Sequence, residues 1–530
     1  MMITQGQNNA YGRARILVIG LDAATFDVLD PLFAAEKCPN LARLKHEGVV
    51  ATLQSTVPPL SPAAWVTTLT GCNPGQHGVF DFRALNLDKI HGRSDNLVYS
   101  DVYAGGTIFD YLSRQNMRVG AFNIPLTYPA WKVNGMMVAG PVTPDLRQAY
   151  TYPSTLAQRL GPMGHHARPQ DLQRFAVDAY FNELAWSTRR HCAYGKQLLL
   201  EEGPFDLFWF HLHTLDSAQH RFWDDDAPET VYQLYEMADA GVGELLQLVG
   251  PESSVILLSD HGARARPAHT IRPNVWLQQQ GWQIFPYDRG ARRIFEAVRR
   301  RLQKQEPQPQ LNLEQRVRWS LTQAYAFPLA DPVGGIVINL QGRQPQGSVP
   351  QTEYETLRCQ IAARLKTWQT LKGVPVMRQV NIREGVYHGK HTQNAPDIIF
   401  EVDPDFMIDG ALDGHDMGSN APLQPGEWKG VHAMQGVFMA NGPHIDSASS
   451  LADLQLADIT PTILYALGLP IPSNMDGRIR EEIFTADFQQ KHTPKLVPAL
   501  HLGSQNHSNG NQKAENAQML DRLRVLGYLE

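Results

Sequence analysis

Ile16-Leu17-Val18-Ile19-Gly20-Leu21-Asp22 is an apolar run that ends in an acid. A short β-rich run of this kind predicts a buried parallel strand that delivers its carboxylate to the carboxyl edge of a sheet. Further on, Val57-Pro58-Pro59-Leu60-Ser61-Pro62-Ala63-Ala64-Trp65 places a hydroxyl at the start of a helix. Pro62 suits the first helical position, and Ala63, Ala64 and Trp65 continue it. Free backbone N–H groups and the helix dipole favour an anion there. Asp22 is therefore a candidate metal ligand, and Ser61 a candidate nucleophile toward phosphorus.

Outward from this stretch, strand-like runs alternate with helix-like ones, the signature of a parallel α/β sheet. Val49 to Thr56 reads as a strand. Ser61 to Gly71 reads as a helix ending at glycine, followed by the turn-rich Asn73-Pro74-Gly75-Gln76-His77-Gly78. Thr107 to Asn116 is an amphipathic helix, and Arg118 to Ile124 a strand. Tyr150 to Ala193 is polar, carries the pair His165-His166, and is expected to form a lid or spacer. Phe205 to His211 and Ser254 to Ser259 are further strands, with the helix Thr230 to Val249 between them. Residues 264–394 read as a second lobe inserted into the first. It holds a basic helix (Arg292 to Lys304), a Gln/Pro-rich spacer (Gln305 to Gln310), a strand (Gly335 to Leu340) and a helix (Glu353 to Leu371). The chain is expected to rejoin the core at Asp397-Ile398-Ile399-Phe400, then at Gly430-Val431-His432 and the strand Gly436 to Ala440. The division that follows is a disordered leader at 1–14, a catalytic core at 15–263 and 395–487, the inserted lobe at 264–394, and a tail at 488–530. In that tail, 488–516 reads as a polar linker and Met519 to Leu529 as a short docking helix.

The chain has 530 residues and a formal net charge of −6. That balance argues against a general nucleic-acid binder, which needs a basic surface. Its four cysteines form no C-x-x-C pair, so a zinc ribbon or redox motif is not expected. No apolar run approaches the ~18 residues of a transmembrane helix. Met1 to Arg15 lacks the apolar centre of a signal peptide, which makes a cytoplasmic location the default expectation.

Three carboxylates and three imidazoles stand at or just past the ends of strand-like runs: Asp22, Asp216, His220, Asp260, His261 and His432. Open parallel sheets gather their sites on that rim. Asp216 and His220 share one face of a helical turn by their i, i+4 spacing. Asp/His sets without thiolate suit Zn²⁺, with Mn²⁺ as second choice. The set is large enough for two divalent ions, which could stabilise the attacking and leaving oxygens of an in-line displacement. Each residue also has a plain reading: Asp22 as a loop acid, Ser61 as a helix cap, Asp260-His261-Gly262 as a turn. His77 is expected to support the loop after the Ser61 helix, and His211 and His213 to be structural. Arg264, Arg266 and Arg272 could meet a substrate anion or form a solvated cluster. The run Arg299-Arg300-Arg301 reads as an exposed helix face.

In sequence order these segments resemble the alkaline phosphatase superfamily, in its type I phosphodiesterase / nucleotide pyrophosphatase branch. The matching segments are Gly20-Leu21-Asp22, then Ser61 with Thr70-Gly71-x-x-Pro74-Gly75-x-His77-Gly78, then Asp216-x-x-x-His220. Ser259-Asp260-His261-Gly262, Gly430-x-His432 with Ala440-Asn441-Gly442-Pro443, and Asp458-Ile459-Thr460-Pro461-Thr462 complete the set. The resemblance implies a doubly wound, mostly parallel sheet flanked by helices. It implies one metal on Asp216, His220 and His432, and another on Asp22, Ser61, Asp260 and His261. It implies hydrolysis of a small phosphorylated substrate, a phosphodiester or nucleotide pyrophosphate, through a phosphoseryl intermediate. A phosphomonoesterase or a phosphoglycerate mutase-like isomerase would use the same residues. The mutases carry their large insert soon after the nucleophile, whereas here it follows Asp260-His261. Many nucleotide pyrophosphatases carry Thr where this chain has Ser61, and an Asn that binds a phosphate oxygen; Asn123 is the candidate donor here. Ser61-Pro62-Ala63-Ala64-Trp65 lacks the Pro and Arg spacing of a sulfatase.

Overall fold

The computed structural model describes residues 13–143, 149–160, 177–223, 229–284, 317–412, 414–420, 428–501, 503, 516–520 and 523. The expected leader up to residue 12, His165-His166, the basic helix with Arg299-Arg300-Arg301, the spacer after it, and most of the tail beyond residue 503 lie outside them. Among the described residues no helix is long and apolar enough to cross a membrane.

Ala14–Leu21 is a strand, and it lies in the middle of a nine-stranded sheet. In spatial order the strands are Leu454–Gln455, Val49–Gln54, Gln435–Asn441, Ser254–Leu258, Ala14–Leu21, Phe205–Leu212, Val119–Ile124, Gly135–Ala139 and Thr151–Tyr152. Five pairings are parallel and three antiparallel, so the sheet is mostly parallel. Its central strands are buried on both faces, as their continuous apolar runs require. The order reverses on either side of Ala14–Leu21, which is the doubly wound arrangement, and such sheets hold their sites at that reversal.

The direction of one strand matters for the rim. Gln435–Asn441 runs antiparallel to both neighbours, Val49–Gln54 and Ser254–Leu258. An antiparallel strand begins where its neighbours end. The residues just before Gln435 therefore share an edge with the residues just after Leu21, Gln54 and Leu258.

Ser61–Thr70 is a helix with all ten residues buried. It ends at Gly71, whose φ of 68° closes the last turn in the left-handed region. The loop beyond is held by His77. Val79 donates its N–H to His77 Nδ1 at 3.1 Å, so the ring proton sits on Nε2, 3.0 Å from Thr67 Oγ1. This is the supporting role expected of His77.

A second, four-stranded sheet is built from Ala324–Ala330, Val333–Ile338, Ile398–Val402 and Met377–Ile382. Ile398–Val402 was expected to rejoin the core. Instead it pairs antiparallel with Val333–Ile338 and Met377–Ile382. Asp397, just before it, anchors it locally. Asp397 accepts from Arg343 Nη1 and Nη2 at 2.7 and 2.6 Å, Arg383 Nη1 at 2.9 Å, Tyr354 Oη at 2.6 Å and the Ile338 N–H at 2.7 Å. This lobe braces the segment leading into the Ser61 helix: Tyr387 Oη donates to the Val57 carbonyl at 2.7 Å, and His391 N–H to the Gly75 carbonyl at 2.8 Å.

Two other expectations change. Val177–Glu202 is one long helix packed into the main core, not a lid, because Leu184, Ala185, Leu198 and Leu199 face inward. The polar stretch from 488 is partly structured: Ala486–Lys491 is helical and Leu496–Val497 pairs with Ile471–Pro472. Asn516–Leu520 is helical, and Met519 and Leu523 are buried in the main core.

Two outcomes are expected from these contacts. Asp397→Ala leaves two guanidinium groups facing a buried gap and should cost about 3–5 kcal/mol, read as a fall in the denaturant midpoint. Burial holds His77 at a pKa of about 3, against an ordinary value of 6.5. Between those values the unfolded chain takes up a proton that the folded chain refuses, so stability falls as pH drops below 6.5. A His77→Gln variant should lose this dependence, flattening stability against pH by ~1.4 kcal/mol per pH unit in that window. An unchanged slope would refute the assignment.

Candidate active site

Asp22 follows the strand Ala14–Leu21 directly, and its N–H is bonded to the Leu212 carbonyl at 3.0 Å. Asp260 and His261 follow the neighbouring parallel strand Ser254–Leu258. Asp216 and His220 lie on the helix Thr214–Phe222, which begins just past the end of Phe205–Leu212. His432 arrives differently. It sits on the short strand Gly430–Ala433, which pairs antiparallel with Gly262–Ala265 and sets His432 opposite Ala263. Ser61 opens its helix with its side chain turned inward; Leu60 occupies the cap position.

The structure brings all seven expected residues together. Ser61 Oγ lies 3.4 Å from Asp22 Oδ1 and 3.3 Å from His261 Nε2. His261 Nε2 is 3.3 Å from Asp260 Oδ2 and 3.8 Å from Asp22 Oδ1. His220 Nε2 is 3.3 Å from Asp216 Oδ1 and 3.0 Å from His432 Nε2. Two groups of ligand-type atoms result, each spanning no more than 4.8 Å: Asp216, His220 and His432, and Asp22, Asp216 and His261. Asp216 belongs to both. The resemblance gave it to one cation only, but the first turn of its helix points it between the two groups.

The rings show what this space lacks. His220 Nδ1 lies 2.9 Å from the Gly430 carbonyl and His261 Nδ1 3.1 Å from the Gly262 carbonyl. His432 makes a backbone hydrogen bond to Pro59, whose main chain offers only a carbonyl. Carbonyls only accept, so the Nδ1 proton of each ring is spent outward, and a ring carrying that one proton turns a bare Nε2 lone pair inward. Those lone pairs meet carboxylate oxygens and one another. Both oxygens of Asp216 and Oδ2 of Asp260 are buried without a well-formed hydrogen bond. A buried cluster made only of acceptors fits divalent cations.

Electrostatics agree. Burial, and then the charges of Asp260 and Asp216, push the Asp22 carboxyl well above its usual range. Burial likewise raises Asp260. Burial also works to raise Asp216, but positive charge at the neighbouring His220, His432 and His261 outweighs it and holds its carboxyl low. Burial, reinforced by His261 and His220, pushes His432 well below the ordinary imidazole value.

The surrounding contacts fix these groups. Ala23, in the left-handed region at φ 56°, aims its N–H at Asp260 Oδ1, 3.2 Å away. Ser55 Oγ donates to the Asp260 carbonyl at 2.6 Å, and Ser259 Oγ to the Ala24 carbonyl at 2.9 Å. Trp428 stands edge-on to His220 with ring centroids 4.1 Å apart.

Other expectations fare differently. The Asn123 amide, expected as a phosphate donor, donates to the His211 carbonyl at 3.1 Å, and the residue has a φ of 64° at its strand end. Arg264 binds the carbonyls of Pro404 and Phe406, and Arg272 binds Asp409 at 2.8 Å and the His415 carbonyl at 3.1 Å. These two arginines tie loops together. His211, expected to be structural, reaches Asp22 Oδ2 at 3.2 Å. Its place near the carboxyl end of a central strand was the available signal.

Comparison with curated proteins gives no match. Among solved structures, phosphonoacetate hydrolase from Sinorhizobium meliloti 1021, in complex with phosphonoacetate, is similar with a TM-score of 0.53. The identity is 17%, over 85% of this chain and 94% of that one. Murine ectonucleotide pyrophosphatase / phosphodiesterase 5, in an inactive form with AMP, has a TM-score of 0.52 at 12% identity, over 89% of this chain and all of that one. The human counterpart gives 0.50 at 14% identity, over 92% and 100% of the two chains. At such identities the likeness is one of fold. The profile of the family described as type I phosphodiesterase / nucleotide pyrophosphatase matches residues 16–433, most of the chain. The chain belongs to the type I phosphodiesterase / nucleotide pyrophosphatase family of the alkaline phosphatase superfamily, a family of phosphoester-hydrolysing enzymes.

Proposed function

We propose that the protein hydrolyses phosphodiester or pyrophosphate bonds of a small substrate through a covalent phosphoseryl group on Ser61. In this reading Asp216, His220 and His432 hold one divalent cation. Asp22, Ser61, Asp260 and His261 hold another, with Asp216 between them. The observation that carries the reading is the buried cluster of bare Nε2 atoms and carboxylate oxygens around the Ser61 hydroxyl. The donor chemistry favours Zn²⁺, then Mn²⁺. Bound cations would supply the positive charge that an in-line displacement at phosphorus needs.

The chain's own residues do the rest. The helix start and its full burial hold Ser61 Oγ on Asp22 and His261. His220 and His432 are the more exposed ligands, at 9% and 7%, while Ser61, Asp22, Asp260 and His261 show none. Substrate therefore enters past His220, His432 and Trp428. As the Oγ–P bond forms, the P–O bond to the leaving group breaks; Oγ loses its proton and the leaving oxygen gains one. Water then attacks phosphorus, the Oγ–P bond breaks, one proton of the water goes to Oγ, and the phosphate product leaves with the water oxygen and its other proton. The bound phosphonoacetate and AMP of the two structural neighbours are both phosphorus anions, which agrees with such a substrate.

Ser61→Ala should lower turnover of an aryl phosphodiester on the order of 10³-fold or more while metal content stays at the wild-type level. A variant that turns over normally would end the nucleophile assignment. Asp216→Asn should lower metal content at both positions, and His432→Ala at one, by elemental analysis. A chelator should also lower the melting temperature of the wild type, by mass action on the folded state. The Asp216→Asn protein should show little of that shift.

A further inference from the structure

Three of the chain segments that supply ligand-type residues meet at Gln219. The helix Thr214–Phe222 carries Asp216, Gln219 and His220, which share one face by their i, i+3 and i+4 spacing. The Gln219 side chain, 1% exposed, crosses to the turn after Asp22 and donates from Nε2 to the Ala23 carbonyl at 2.9 Å. Its main-chain carbonyl abuts the strand of His432: a Cβ added to Gly430 would stand 2.4 Å from it. Resting on the cation reading proposed above, we infer that Gln219 is a positioning residue that locks the turn of Asp22 and Asp260 to the helix of Asp216 and His220.

The direction of the amide is fixed. Tyr235, fully buried on the helix Glu229–Val249, donates its hydroxyl to Gln219 Oε1 at 3.3 Å. Oε1 is therefore the acceptor, and Nε2 keeps its two protons for donation. An amide holds those protons at every pH at which an enzyme works, so the tie to Ala23 depends on no protonation state.

Ala23 shows what the tie is for. It is fully buried and sits at φ 56°, in the left-handed region, which a non-glycine residue holds only when its surroundings impose it. In that conformation its N–H meets Asp260 Oδ1 at 3.2 Å, and its carbonyl meets Gln219. The next carbonyl, of Ala24, accepts from Ser259 Oγ at 2.9 Å. One strained turn thus links the Asp260 carboxylate on one side to the helix of Asp216 on the other.

The link matters because the two ligand groups are anchored differently. Asp22 and Asp260 follow adjacent strands in register, whereas Asp216 and His220 sit on a helix beyond the end of Phe205–Leu212. Two cations that share an in-line displacement must stand at a set separation. With the amide removed, the helix can shift against the turn. A misplacement of about 1 Å is enough to cost on the order of 100-fold in rate. Groups behind a metal ligand act in this way, by fixing where the ligand stands.

The test is Gln219→Met, which keeps the length and burial of the side chain but has no donor. Zn²⁺ binding is measured by competition with a chromogenic chelator. kcat and KM are measured on an aryl phosphodiester well below the melting temperature. The variant should bind one of two Zn²⁺ about 10–100-fold more weakly and lose kcat by about tenfold or more, with KM little changed. A residue that only supports the fold would lower the melting temperature and leave both readouts unmoved. Tyr235→Phe leaves Nε2 in place but removes the hydroxyl that orients the amide, and it should show the same two changes to a smaller extent. A folded Gln219→Met protein with wild-type Zn²⁺ affinity or wild-type kcat ends the role of Gln219 and leaves the cation reading standing. If wild type binds neither Zn²⁺ nor Mn²⁺, both end. Should Gln219→Met not fold, Tyr235→Phe decides: a lowered kcat with KM retained supports the role, and an unchanged kcat overturns it.

Discussion

Carboxylates and imidazole lone pairs forced into one dry space repel each other. Asp22, Asp216 and Asp260 are all buried, and their mutual charges help push Asp22 upward. Flexible side chains would relax such a cluster by turning to water. Here the backbone forbids it. Two of the acids are fixed to adjacent parallel strands in register, and the third sits in the first turn of a helix that starts over the next strand. The sheet therefore stores an acceptor cluster that positive charge relieves, and it keeps the site preorganised.

Much of the molecule serves that rigidity. The main-chain carbonyls of Gly430 and Gly262 and the backbone of Pro59 orient three rings. Ala23 accepts an unfavourable backbone conformation to place an N–H on Asp260. The second lobe contacts the carbonyls of Val57 and Gly75 on either side of the Ser61 helix. Its own integrity rests on Asp397, a buried acid fully matched by donors. Two kinds of buried carboxylate thus coexist: the matched one holds structure, and the unmatched ones mark the site.

Part of this was legible in the sequence. The run Ile16 to Leu21 is apolar throughout because its strand is covered on both faces, and that pattern carries the parallel-sheet reading without further help. Asp22, Asp260-His261 and Asp216-x-x-x-His220 stand just past such runs, and local order alone places them on one edge. Ser61-Pro62 announces its helix start. Where local pattern was ambiguous, the reading failed. Ile398–Val402 has the same apolar character as a core strand, and only pairing partners decide which sheet it joins. The helix Val177–Glu202 opens in a polar stretch, and only its packing shows that it belongs to the core.

Sequence by itself determined the parallel sheet, the serine at a helix start, and the placing of Asp22, Asp216, His220, Asp260 and His261 just past strand ends, because each is written in a few consecutive residues. Tertiary structure alone decided three other things. An antiparallel strand brings His432 to the rim; Asp216 faces both groups of ligands; and the Gln219 amide meets the turn after Asp22. Each depends on strand direction, register or a side chain's reach, and those are properties of neighbours in space, which no local stretch of chain encodes.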